Sequence, residues 1–318
     1  MDILSYLIFF SIIAGIYSLS TLGLNLQWGF TGMLSVGIVG FFGVGAYTTA
    51  ILTGPHYPDA LGGFDLPVPI GFLGALAVSG VVSLVVGIPT IRLRHDFLAI
   101  GTFGIAVCIQ LLAMNWKSVT RGFDGLYSLP KPFAQSAGSP LIANALYLLM
   151  TVAIVALAYW ALERMLRSPW GRVLRAIRED EEAAAALGKN AAAYRLQSFV
   201  FGSMLMGLSG ALYANFTGFI SPQDLLPIFT FQVFVMLIVG GSGNNRGAIV
   251  GTIAIWALWT LTETALTAVL PPVLEKQVAT LRVVLVGLIL VLMLLYRPQG
   301  LFPEEQIVSP EARLDAED

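Results

Sequence analysis

Two places in the chain have the spacing of a serine nucleophile: "GLSG" at 207–210 and "GGSG" at 240–243 both read G-x-S-G. A serine attacks only with a general base in reach. The two histidines, His56 and His95, lie far upstream at predicted loop positions, so intramembrane serine proteolysis is set aside. The single cysteine, Cys108, sits inside an apolar run, which excludes an intrachain disulfide and a cysteine metal cluster. A phosphate loop requires G-x-x-x-x-G-K-[ST]. Only Lys189 follows a glycine, and its surroundings, "LGKN", lack the rest of that pattern. The sequence thus predicts no catalytic residue, no metal ligands and no nucleotide site of its own.

What remains is a concentration of charge. The chain holds 17 Lys and Arg and 19 Asp and Glu, and twelve of these lie between Glu163 and Arg195. Within "SPWGRVLRAIREDEEAAAALGKN" (168–190) the signals are those of two short helices. Ser168 is a good N-cap and Pro169 suits the first helical position. Val173, Leu174 and Ile177 share a face, while Arg172, Arg175 and Arg178 form a basic row. Asp180 is placed to cap a second helix, with Glu181 and Glu182 in its first turn where the dipole favours anions. The alanines propagate it, and Gly188 is placed to end it in a left-handed conformation. Helix, acidic elbow, helix: this presents a flat surface of small side chains to another protein.

The elements that must position this loop are apolar. Of the 318 residues 57% are hydrophobic and 11% charged, against about 25% charged in a soluble domain. Lipid is therefore the expected solvent, and the fold class expected is all-α, a polytopic bundle of nine or ten transmembrane helices. About 20 apolar residues cross the hydrocarbon core. Expected spans are 3–22, 29–53, 69–91, 97–116, 142–163, 196–219, 229–241, 247–270 and 281–296. The glycine-rich stretch within 24–53 marks a broken or re-entrant segment, and 229–241 is short for a crossing. Residues 1–297 read as the membrane domain and 298–318 as a short acidic tail. No positive region precedes the first span, so it is expected to be retained rather than cleaved.

With nine spans, eleven Lys and Arg fall on the side of the 164–195 loop and five on the other, which sets that loop in the cytoplasm. The discordant piece is 117–131, with Lys117, Arg121 and Lys131 outside. Gly243, Gly247 and Gly251, and Gly207 with Ala211, are spaced for close helix packing. The spans hold almost no ionisable groups, Glu263 being the main exception and Asp96 lying at a rim. Ion coupling marks its path with such groups, so uncharged or zwitterionic cargo is expected, with energy supplied by a partner. A net charge of −2 argues against nucleic acid.

Residues 182–188, "EAAAALG", fit the E-A-A-x-x-x-G pattern of the cytoplasmic loop of ABC importer permeases. Six further blocks agree in order: "LSVGIVGFFGVGAYTTAIL" (34–52), "IRLRHDFLAIGTFG" (91–104), "TRGFDGL" (120–126), "GLSGALYANFTGFISP" (207–222), "GGSGNNRGAIVG" (240–251) and "YRPQGLF" (296–302). Over roughly 15–302 the chain resembles the LivM-type branched-chain amino acid permeases. That resemblance implies a multi-pass subunit of the bacterial inner membrane, paired with a LivH-type permease. It also implies two cytoplasmic ATPases that hold ATP and magnesium, and a periplasmic binding protein that delivers cargo. Trp170, Gly171, Arg172, Arg175, Glu179, Asp180, Glu182, Ala183, Ala184 and Gly188 would form the ATPase-docking element, its arginines meeting acidic groups on the ATPase. Leucine, isoleucine and valine are the usual cargo; urea, short amides and other amino acids are carried by close relatives. Polar groups near broken or glycine-rich segments, Asn25, Gln27, Thr31, Ser35, Asn115 and Gln232, are the candidates for the cargo path. A stand-alone facilitator would explain the spans but leave the charged loop without a purpose.

Overall fold

The structure, a computed structural model, describes residues 3–57, 61–91, 95–134, 138–269, 284, 287–289, 291–297 and 299–304. It is an all-α polytopic bundle. Helix α1 (Ile3–Leu24) runs into a π-helical turn (Asn25–Gly29). After an extended stretch come α2 (Ile38–Thr53), α3 (Val68–Thr90), α4 (His95–Asn115) and the one-turn α5 (Lys117–Thr120). There follow α6 (Pro140–Leu166), α7 (Pro169–Glu179), α8 (Glu181–Ala186), α9 (Ala191–Thr217), α10 (Pro227–Gly240) and α11 (Asn245–Val269). Two short strands, β1 (Leu126–Tyr127) and β2 (Phe219–Ile220), pair antiparallel with Leu126 opposite Ile220.

Among the described residues, five helices are long and apolar enough to cross a membrane alone. The expected spans differ from these in two places. The segment 29–53 is not one helix: the chain leaves helical geometry after the π turn and resumes as the 16-residue α2. Glycine and serine in "GFTGMLSVG" remove the side-chain packing and propensity that would carry a helix through. The expected 229–241 and 247–270 are the separate helices α10 and α11, which meet at a four-residue break with a bend of 119°. Of the expected segment 281–296, residues 284, 287–289 and 291–296 are described and helical; its other residues lie outside the described residues, as do the side chains of Asp96 and Glu263.

Helix α9 occupies the centre, packed against α1, α2 and α3. Backbones approach so closely there that only glycine fits. A Cβ on Gly45 would stand 1.9 Å from the Gly207 carbonyl oxygen, and one on Gly210 the same distance from that of Phe42. Every residue of α1 from Ser18 to Leu24 is buried. Its hydroxyls are satisfied across helices: Ser20 donates to Ser209 at 2.9 Å, and Thr252 to Thr21 at 2.9 Å. The expected glycine face is partly corrected. Gly247 and Gly251 do pack against α10, but Gly243 lies before α11 begins, in the break, with φ +84°. Outward faces of α3, α4 and α6 expose Leu73, Val85, Ile100, Leu149 and Trp160, the composition of a wall bathed in lipid or covered by another apolar protein.

The helix ends sort onto two faces. On one lie the π turn, α7, α8, the 241–244 break and residues 299–304. On the other, the Tyr57 hydroxyl donates to the Tyr127 carbonyl, and the β1–β2 pair joins the loop before α6 to the end of α9. Arg121 stacks there on Tyr57 and Tyr127, 5.1 and 4.9 Å from the ring centroids. That engagement accounts for one of the three bases of the discordant 117–131 segment.

Candidate functional site

The charged loop folds as two helices on one end of the bundle. Ser168 caps α7 by accepting from the Trp170 amide, and Asp180 caps α8 by accepting from the Ala183 amide at 2.9 Å. Gly188 takes φ +76°, the left-handed conformation that stops a helix cheaply in glycine. Leu174 and Ile177 are buried, and Ile177 packs with Ala184 and Ala191, so one face of each helix belongs to the bundle. Gly171 is needed for this seating, since a Cβ there would meet the Leu166 carbonyl oxygen at 2.1 Å. Trp170 donates to Gln197 at 2.7 Å and packs edge-on to Phe201, and Arg195 pairs with Glu181 at 2.8 Å. Both helices are thereby fastened to α9.

The basic row divides. Arg172 is exposed, but Arg175 turns inward, donates to the Leu166 carbonyl at 3.0 Å and lies over the Phe30 ring. Its task is to cap the end of α6, leaving Arg172 to face outward. Arg178 also turns in. Its Nη1 donates to the Gly29 carbonyl and its Nη2, at 2.9 Å, to both carboxylate oxygens of Glu304. The outward surface therefore includes Arg172, Glu179, Asp180, Glu182, Ala183, Gly188 and Lys189 together with Leu187, which is 81% exposed. Ala184 is buried and does not share it.

Behind Arg178 the two helix breaks meet. The Asn25 carboxamide donates to Asn245 at 2.9 Å and accepts from the Gly243 amide at 2.8 Å. Residues 299–304 strap this junction from beneath: Leu301 and Phe302 donate backbone bonds to the Val239 and Gly240 carbonyls, at 2.8 and 2.9 Å. Asn244 donates to the Pro303 carbonyl at 3.2 Å. One arginine thus joins α7, the π turn and the strap that holds the α10–α11 break.

Of the six residues expected along a cargo path, two, Gln27 and Thr31, bond to α9, and the other four lie apart from that seam. Gln27 donates to the Phe199 carbonyl and to Ser203, and Thr31 shares hydrogen bonds with Ser198 and the Leu26 carbonyl. Asn25 joins the breaks as described. Ser35 is buried with its hydroxyl unpartnered, as is the Gln27 Oε1. Asn115 is exposed at the far end of α4, donating to the Leu111 carbonyl, and Gln232 is half-buried on α10. No group of three His, Cys, Asp or Glu among the described residues is arranged to hold a metal ion.

Residues 6–294 match the family model described as the branched-chain amino acid transport system permease component. The chain belongs to this family. It is 31% identical to the high-affinity branched-chain amino acid transport system permease protein LivM of Escherichia coli K12, covering 94% of this chain and 70% of that one. A probable LivM of Methanocaldococcus jannaschii is 28% identical, with 93% of each chain covered. The LivH permease of Salmonella typhimurium is 23% identical over 74% of this chain and 78% of its own. The chain is a multi-pass membrane permease, related to subunits of transport systems rather than to enzymes. Sequence reading of this permease missed Glu304, Asn245 and Leu187. Leu187 carried a usable signal, a lone large apolar side chain in an otherwise small and polar loop. Glu304 carried none, since its role depends on where the chain returns.

Proposed function

We propose that this chain is the membrane subunit of an ATP-driven importer for branched-chain amino acids in the bacterial inner membrane. It works beside a LivH-type second permease. A periplasmic binding protein delivers cargo to the face opposite α7, and two ATP-binding subunits, which hold the ATP and magnesium, dock on α7 and α8. The observation that carries this reading is the ledge of α7 and α8, outward on one side and tied through Arg178 to both helix breaks on the other. Arg172, Leu187 and the exposed alanines meet the ATPase; the acidic residues Glu179, Asp180 and Glu182 frame the contact. A displacement of α7 then acts on the Gly29 carbonyl and on the strap at Glu304. The junction of Asn25, Gly243 and Asn245 is the part able to open. The charge-poor spans suit a zwitterion with an apolar side chain.

The test is the double variant Arg172→Glu with Leu187→Glu, both side chains exposed and outside the packed core. ATPase subunits should co-purify at least ten-fold less, and ATP-driven leucine uptake into proteoliposomes should fall in step, with the melting temperature of the isolated chain unchanged. Wild-type uptake by the double variant would remove the ledge from the mechanism.

A further inference from the structure

The opposite face holds a second feature unrelated to the ledge. A cavity of about 400 Å³ lies between the start of α6, the end of α9 and the loop at Lys131. Asn215 forms part of its wall and is fully buried, yet among the described residues neither its Oδ1 nor its Nδ2 has a hydrogen-bond partner. The large majority of buried side-chain polar atoms have at least one hydrogen-bond partner. Tyr147, which also lines the cavity, donates its hydroxyl proton to the Leu212 carbonyl at 2.7 Å and so has none to give the Asn215 Oδ1.

The charge of the cavity has one sign. Among the described residues that line it, Lys131 is the single ionisable side chain apart from the Tyr147 phenol, and none is a carboxylate. Lys131 lies against the left-handed Gly218 turn that ends α9: a Cβ on Gly218 would meet its Cε at 2.9 Å. The N-terminus of α6, capped by Ser139, adds the partial positive charge of a 27-residue helix. Asn144 contributes a second carboxamide. An ammonium and a helix N-terminus call for an oxyanion, and the empty acceptor of Asn215 calls for a donor beside it.

We propose that this cavity binds a small zwitterionic group, an oxyanion held by Lys131 and the α6 N-terminus with its ammonium on the Asn215 Oδ1. A volume near 400 Å³ falls within the range of small-molecule sites, about 300–1,000 Å³. The same chemistry belongs to a free α-amino acid arriving from water and to the head group of an ethanolamine phospholipid. The proposal does not depend on ATP-driven transport, and its test requires no ATPase.

Native mass spectrometry of the purified full chain, titrated with L-leucine or with phosphatidylethanolamine, separates the sources. One of the two should bind one-to-one, and Asn215→Leu and Lys131→Gln should each weaken it at least ten-fold. Lys131 is exposed, so its variant keeps the test valid should Asn215→Leu fold poorly. Leucine binding lost in the variants identifies an amino-acid site; phosphatidylethanolamine binding lost identifies a lipid site. Absence of one-to-one binding for both probes, or wild-type affinity in both variants, overturns the proposal.

Discussion

Arg178 makes two kinds of bond, and they can be separated. Its pair with Glu304 is an exchange of charges, whereas its bond to the Gly29 carbonyl needs a donor at position 178. Hydrogen bonds to charged groups contribute about 1.5–3 kcal/mol each. Arg178→Gln should therefore slow ATP-driven uptake about ten-fold in proteoliposomes holding the complete transporter. The swapped pair, Arg178→Glu with Glu304→Arg, restores opposite charges but leaves Gly29 without its donor, so uptake should stay low. Full recovery in the swap would mean that the ion pair alone matters. At this scale the sequence was only partly legible. Ser168, Asp180 and Gly188 could be read because caps are local. The direction of the arginines could not. Each three-residue step falls about 60° short of a full turn, so a row at 172, 175 and 178 drifts around the helix. Its last member ends against the protein.

Among elements, the decisive contacts are between backbones. The glycine-rich character of 24–53 and the shortness of 229–241 were visible as breaks, because glycine weakens a helix wherever it sits. Which glycines touch which helices was not visible, since spacing alone does not name a partner. Gly45→Ala places a methyl group on the Gly207 carbonyl and should destabilise the bundle by at least about 2–3 kcal/mol, read as a large fall in melting temperature in detergent. Gly104, in α4, has open space where its Cβ would be. Gly104→Ala should raise stability by about 0.5–1 kcal/mol. Equal effects of the two substitutions would show that helix propensity, and not close approach, governs these positions.

Seen whole, the chain puts its ledge and its zwitterion cavity at opposite ends of α6 and α9, each 27 residues long, about 40 Å at 1.5 Å per residue. In a background lacking Cys108, Leu187→Cys and Lys131→Cys should react with a membrane-impermeant maleimide from opposite sides of sealed vesicles. Labelling of both from one side would refute the two-faced arrangement. The bias of Lys and Arg sets the ledge in the cytoplasm as an expectation, which this labelling checks. It could not anticipate that Arg121 is absorbed by Tyr57 and Tyr127, because aromatic stacking partners distant in sequence meet only in the fold.

The strap at 299–304 also sets an order of events during synthesis. The α10–α11 break is translated about 60 residues before Glu304, and ribosomes add roughly 5–20 residues each second. Every new chain thus passes through an interval of several seconds in which the break is already made and its fastening does not yet exist. For that time Arg178 has no carboxylate to hold, and α7 is secured by Trp170, Arg175, its buried leucine and isoleucine, and the bond from Arg178 to the Gly29 carbonyl. A newborn permease is a loose one, and it tightens only when its closing residues arrive.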